Sequence, residues 1–227
     1  MSPDLPLLER YLARALPEGG AAPARVRLCQ EGEMRLRPGA RPRRFAAEQE
    51  ASVLEVAFDW RARFPVAPLL ALRVVDRFAA GEGSLEARLL GLRAMRQAGP
   101  ETSLGEAMRY LAELPWVPHA LALNPHLERR AAGERAVEVS TLAGGRRAAV
   151  TLEFGADGDV AGSRAEARPY KRGKAFVPMP WSGSFSDYGV LGGVRLPRRA
   201  EARWELPEGP FTYWRGEITS FELVPAP

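Results

Sequence analysis

Cysteine, histidine and lysine are nearly missing from this chain: 227 residues carry one cysteine, two histidines and only Lys171 and Lys174 as lysines. Cys29 has no partner, so an intrachain disulfide is excluded, no oxidising compartment is required, and thiolate zinc or iron–sulfur centres lack their ligands. His119 and His126 stand seven residues apart across Asn124-Pro125, which matches no metal-ligand spacing, and no metal is expected. The scarcity of lysine leaves arginine as almost all of the 32 basic residues, set against 28 acidic ones for a net charge of +4. These arginines are dispersed, with the densest run only Arg41 to Arg44, so a nucleic-acid partner is not expected. No stretch nears the roughly 20 apolar residues that span a bilayer. The first residues include Asp4 and Glu9 and lack the charged start and apolar centre of a signal peptide, and the location expected is cytoplasmic.

Catalytic and cofactor signatures are scarce as well. Gly81-x-Gly83 has Glu86 where a dinucleotide fingerprint needs its third glycine, and no P-loop occurs. Ser182, Ser184 and Ser186 lie near Gly183 and Gly189 without forming a Gly-x-Ser-x-Gly elbow. No cofactor is expected.

What is present is alternation. With 46% hydrophobic and 26% charged residues the chain can bury a sizeable core as one domain over residues 1–227. From Val26 to Leu36 even positions are largely apolar and odd ones mostly charged, the period of a strand with one buried face. The same period runs through Val56, Phe58, Trp60, Ala62 and Phe64, then Leu70, Leu72 and Val74, and a further strand from Leu85 to Leu92. Beyond the middle come Val137 to Leu142, Ala148 to Phe154 and Val160 to Arg168, separated by Gly144-Gly145 and Asp157-Gly158, residues that tight hairpin turns demand. Arg199 to Leu206 and Phe211 to Leu223 make a last hairpin. The proline- and glycine-rich stretch from Pro169 to Gly193 reads as a long aromatic loop, either a lid or a packed surface loop. Connections this short require an antiparallel sheet.

Two helices interrupt the strands. Leu5 to Leu16 sets Leu8, Tyr11, Leu12 and Ala15 on one side. Ser103 to Leu114 sets Leu104, Ala107, Met108 and Leu111 on one stripe, with Ser103 and Glu106 spaced as a capping box and Pro115 as the stop. The chain divides into an N-terminal helix and linker (1–22), a first strand group (24–100), the central helix (103–114) and a second strand group (134–227). The expected architecture is mostly β within the α+β class: about ten strands in a large curled antiparallel sheet, a half-barrel wrapped around the central helix. Lipoprotein-carrier half-barrels have a similar order of elements.

Arg109, Tyr110, Leu111, Ala112, Glu113, Trp116 and Pro118 spell R-Y-L-A-E-x-x-W-x-P, a pattern that resembles an uncharacterised bacterial family of domains of unknown function. Phe45-Ala46-Ala47-Glu48-Gln49, Phe58-Asp59-Trp60-Arg61-Ala62, Asp76-Arg77-Phe78, Leu196-Pro197, Trp204 and Tyr213-Trp214 extend the resemblance over most of the chain. It departs just before Phe45, where the family pattern has tryptophan and this chain has arginine and proline. The resemblance implies a fold and no activity.

The candidate site follows from the central helix. Arg109, with Glu113 one turn on and Asp59 and Asp76 on nearby strands, reads as a structural ion pair, because an enclosed unpaired charge costs several kcal/mol. In its functional reading Arg109 holds an acidic head group at the mouth of an apolar cavity, with Glu113, Trp116, Trp60, Trp181 and Tyr188 as further ligand-binding candidates. The leading function is non-enzymatic binding of an apolar or amphipathic small molecule between sheet and helix. The alternatives are an enzyme pairing Glu113 with Asp59 or Asp76 as acid and base, and a structural or protein-interaction domain. The sequence sets no oligomeric state.

Overall fold

The structure, a computed structural model, describes residues 5–17, 19 and 22–226. The first limb of strands is β1 (Arg25–Met34), β2 (Arg43–Ser52), β3 (Phe58–Ala67), β4 (Leu70–Ala79), β5 (Glu82–Leu89) and β6 (Leu92–Ala98). The second is β7 (Glu128–Ala131), β8 (Ala136–Ala143), β9 (Arg146–Phe154), β10 (Val160–Arg172), β11 (Ala175–Leu191), β12 (Val194–Leu206) and β13 (Gly209–Val224). Helices are α1 (Pro6–Ala15), α2 (Pro100–Ala112) and α3 (Pro118–Leu123), with a single 3-10 turn at Leu114–Trp116 between the last two.

Among the described residues thirteen strands join one antiparallel sheet in the order β6-β5-β4-β3-β2-β1-β13-β12-β11-β10-β9-β8-β7. Each limb is a simple meander, and the limbs meet where β1 pairs with β13, Arg25 opposite Val224 and Met34 opposite Trp214. The two sheet edges, β6 and β7, are therefore consecutive in the chain, and the segment linking them supplies α2 and α3. Alternation does the folding work that the sequence announces: on β1, Val26, Leu28 and Gln30 are buried while Arg25, Arg27 and Glu31 are exposed. One face of the sheet is thus apolar, and curling that face around a helix buries both.

Helix α2 lies inside the curl, against β5 on one side and β8, β9 and β10 on the other. It is enclosed on nearly every side rather than along one stripe, since Thr102, Ser103 and Glu106 are buried together with Leu104, Met108 and Leu111. Each fully buried leucine there contributes about 1.5–3 kcal/mol, whereas the buried polar groups must find partners. Its start also differs from the expected capping box. The helix begins at Pro100, whose missing N–H is harmless in a first turn and whose φ is already helical. Ser103 sits inside that turn, where its hydroxyl donates to Gly99 O at 3.1 Å and accepts from Gly83 N–H at 2.9 Å. Gly83 is what lets the helix come so close: a Cβ on it would stand 2.9 Å from Ser103 Cα and 3.0 Å from Glu106 Cγ. The β4–β5 turn lies just before Gly83, at Ala80-Gly81, both with positive φ.

Two other expectations are corrected. The stretch from Pro169 to Gly193 is not a loop but most of the β10–β11 hairpin. Proline reads as a strand breaker because it cannot donate to a ladder. Here β9 pairs with β10 only over residues 160–164, and β12 pairs with β11 only over 181–191. Pro169 and Pro178 face each other in a ribbon that runs beyond its neighbours, so their missing donors are not called on. The strand count of about ten falls short because β6 and β7, both mostly exposed edge strands, carry little apolar alternation. Helix α1 matches its expected face, with Leu8, Tyr11 and Ala15 buried. The Tyr11 ring meets Phe154 edge-on at 5.8 Å, and Arg14 bonds Asp159 at 2.9 Å.

Candidate functional site

Between α2 and the concave face of the sheet lies a cavity of about 620 Å³, whose walls include all five tryptophans: Trp60, Trp116, Trp181, Trp204 and Trp214. Helix α2 forms its floor through Thr102, Gly105, Glu106, Arg109 and Glu113. Its rim carries the strand ends, with exposed Leu36 and Met95 on one side and Tyr170, Lys171 and Phe176 of the β10–β11 ribbon on another.

Three of the indoles are held by their N–H groups as well as by packing. Trp60 Nε1 donates to Gln30 Oε1 at 2.8 Å, Trp116 Nε1 to Pro197 O at 2.9 Å, and Trp181 Nε1 to the Tyr213 hydroxyl at 3.1 Å. Because a buried indole N–H without an acceptor is costly, these bonds fix the three rings in the cavity wall.

Arg109 is fully committed. Its Nε donates to Glu113 Oε1 at 2.8 Å, one terminal nitrogen to Asp76 Oδ2 at 2.7 Å, and the other to Gln49 Oε1 at 3.4 Å. Gln49 closes the network by donating to Glu113 Oε2 at 2.6 Å. The guanidinium carbon lies 4.9 Å from the ring centres of both Phe58 and Trp60. Burial alone would lower the Arg109 pKa, but the Glu113 and Asp76 carboxylates outweigh it and hold the residue charged. Of the two expected roles, the geometry is that of the structural ion pair.

Glu106, assigned by spacing to a helix cap, is instead the third carboxyl of this floor. Burial, then the neighbouring Asp76 charge, pushes its pKa well above the ordinary carboxylate range, while Asp76 is also raised by burial but opposed by Arg109. Asp76 Oδ1 and Glu106 Oε2 are both buried without a hydrogen-bond partner, and two interacting buried carboxyl groups hold one proton between them. We place that proton on Glu106, because Asp76 has the guanidinium bond and Glu106 has none. The sign of the consequence follows: the folded protein keeps a proton that unfolded glutamate releases above pH 4.5. Stability tied to Glu106 is therefore complete below that pH and declines as pH rises through the higher folded value. Glu106→Gln should remove the decline, giving a variant several degrees more stable than the parent near pH 8 and little different near pH 4; parallel melting curves at the two pH values check this, and equal slopes would refute the assignment.

The other candidates separate. Asp59 lies on the convex side of β3, bonded to Arg61 at 2.8 Å and Arg77 at 2.6 Å, and cannot pair with Glu113 across the sheet. Asp76 and Glu113 are both held by Arg109, which leaves neither free as the expected acid–base pair. Tyr188 is outside the cavity, its hydroxyl donating to Val160 O at 2.9 Å on the side where α1 packs. His119 is buried on α3, whereas His126 faces Glu55 at 3.2 Å. Among the described residues no three histidine, cysteine or carboxylate side chains converge as a metal site. The sequence reading missed Glu106, and it missed Arg168, which stands in the cavity wall with its guanidinium carbon 4.9 Å from the Trp181 ring and 5.6 Å from the Trp204 ring.

A curled antiparallel sheet with a helix inside it defines a half-barrel of the lipoprotein-carrier type. A LolA superfamily protein from Nitrosomonas europaea shares this fold with a TM-score of 0.51 at 9% identity, covering 98% of this chain and 94% of its own. A DUF1329 family protein from Desulfovibrio piger does so at 0.53 and 10% identity, over 96% and 90%. A domain from Vibrio parahaemolyticus named for outer membrane lipoprotein sorting gives 0.51 and 10%, over 96% and 90%. The chain itself belongs to the family of unknown function DUF6920, whose model matches residues 4–223. No curated protein matches the sequence.

Proposed function

We propose that this protein is a non-enzymatic binding protein that holds an apolar or amphipathic small molecule in the cavity between sheet and helix. The observation that carries the reading is a cavity of about 620 Å³ walled by all five tryptophans, a volume within the usual range for sites that enclose small ligands. The half-barrel fold supports it, since the solved neighbours of like fold include a lipoprotein-sorting domain by name. The expected acid–base pairs offer no competing chemistry, because Arg109 ties up Asp76 and Glu113. A cytoplasmic site of action remains part of the proposal and rests on the single cysteine.

Gly105 offers a direct test. It lies on the cavity floor, and a Cβ added to it meets nothing within 4 Å. Gly105→Phe should fill the cavity without disturbing the backbone, and the loss of a helical glycine itself favours folding by a few tenths of a kcal/mol, since phenylalanine is the better helix former of the two. The parent is expected to take up one equivalent of a fluorescent apolar probe such as N-phenylnaphthylamine, with a change in tryptophan emission because every tryptophan borders the site. The plugged variant should bind at least about 10-fold more weakly, as the displaced apolar contacts require. Absence of saturable uptake by the parent, or equal uptake by the plugged variant, would sink the proposal.

A further inference from the structure

We infer that Arg168 is the anchor for an acidic head group, carboxylate or phosphate, on the molecule this cavity holds. The inference rests on the binding role proposed above and names the chemical class of the ligand.

Arg168 is 8% exposed, yet among the described residues no carboxylate lies within 4 Å of it and no acceptor takes a hydrogen bond from its guanidinium. That sets it apart from Arg109, the other arginine in the cavity's interior, which is saturated. None of its nitrogens is shut off from solvent, so the guanidinium opens onto the cavity it lines, where an anion can take the place of water. Its position comes from an irregularity in the β10–β11 ladder between Ala165 and Arg168, where the register shifts before Arg168 pairs with Met179. Such shifts re-aim side chains, and this one brings the guanidinium against the faces of Trp181 and Trp204. Contact with indole faces holds the cation while leaving its in-plane N–H groups free, and those form the fork that fits a carboxylate or phosphate bidentately.

The charges around the cavity favour the same ligand independently. The acids in its lining other than Glu106 are occupied: Asp76 and Glu113 by Arg109, Glu101 by Arg146 at 2.9 Å and Glu201 by Arg215 at 2.7 Å, while burial favours the neutral form of Glu106 against the opposing charges of Arg109 and Arg168. Among the described residues, the lining cations Arg35, Arg43, Lys171 and Arg168 have no carboxylate within 4 Å. Arg35, Arg43 and Lys171 belong to the rim, where water screens them, and they would draw an anion towards the mouth. Only Arg168 is buried, where a charge-assisted bond keeps its strength. An amphipathic anion would lay its chain along the tryptophans and its head on Arg168.

Displacement of the apolar probe by three sixteen-carbon competitors, hexadecanoate, hexadecyl phosphate and hexadecanol, read below their aggregation limits, tests this with the full chain. At least one anion should bind the parent about 10-fold or more tighter than the alcohol, the usual worth of a charge-assisted hydrogen bond; which anion wins distinguishes a carboxylate ligand from a phosphate one. Arg168→Met should keep hexadecanol binding and bring anion and alcohol to within about twofold, and it should melt no lower than the parent because it removes an unpaired charge. Arg168→Lys, which keeps charge and loses the fork, should fall between them. Equal binding of anions and alcohol by the parent overturns the inference while leaving the cavity reading intact, and this arm needs no variant to fold. A preference for anions that survives in Arg168→Met or is undiminished in Arg168→Lys also overturns it. If neither probe nor any competitor binds, the binding role falls first and the inference with it.

Discussion

Arg109→Ala is expected to lower the unfolding free energy by about 3–5 kcal/mol, the consequence of removing one partner from a buried ion pair. For a chain of this length that corresponds to a fall of roughly 10 °C or more in melting temperature. The size follows from what is left behind. Asp76 is 6% exposed and Glu113 only partly exposed, and both lose their counter-ion while Gln49 loses a donor. The stacking of the guanidinium against Phe58 and Trp60 goes as well. The compensating changes are graded. Adding Glu113→Gln should recover part of the loss, because Asp76 remains stranded; adding Asp76→Asn to that pair should recover more, and the non-additivity measures the coupling. Urea unfolding of the four proteins provides the check. A single variant as stable as the parent would show that Arg109 does not hold the floor together, and full recovery in the double variant would show that Asp76 takes no part.

Trp116→Ala should have an effect of similar size for a different reason. Trp116 is 3% exposed, packs edge-on against Phe185 at 5.7 Å and touches Trp214 at 6.0 Å, so truncation opens a void that rigid neighbours cannot fill. Large aromatic-to-alanine changes in such settings cost about 3–5 kcal/mol. The Pro197 carbonyl also loses its donor. Trp116→Phe isolates that bond, since most of the ring volume is kept, and should cost only about 1 kcal/mol. The void adjoins the ligand cavity, so the folded fraction of Trp116→Ala should accept a bulkier apolar probe than the parent does. Chemical denaturation and probe titration of the two variants together check the prediction; an alanine variant no less stable than the phenylalanine one would refute it.

The candidate site was legible where it depended on neighbours along one element. Arg109 and Glu113 stand one helical turn apart, so their pairing is written in the spacing, and Asp76 could be named as a partner because an enclosed arginine needs more than one acceptor. Gln49 could not, since only the curl of the sheet carries β2 to the helix. Glu106 shows the opposite error. Its distance from Ser103 is that of a capping box, and the local rule was reasonable. The rule lost to contacts between elements, because the Gly83 N–H takes the Ser103 hydroxyl and Glu106 is buried beside Gly83 and the Asp76 charge. Arg168 carried no signal at all: it looks like the polar end of a strand, and only the register shift turns it inward.

The class of fold was determined by the sequence alone, because it rests on local quantities: period-two alternation makes one-faced strands, glycine pairs make tight hairpins, and an apolar helix among them must be covered by the sheet. Tertiary structure decided what depends on residues distant in sequence. It joined β1 to β13 from opposite ends of the chain and supported a ribbon of prolines where flanking strands stop short. It also settled which of the two arginines, Arg109 and Arg168, is neutralised by acids and which is left facing the cavity. The physical reason is the same in each case: backbone propensity acts over a few residues, whereas the partner of a buried charge is set by how the whole sheet curls.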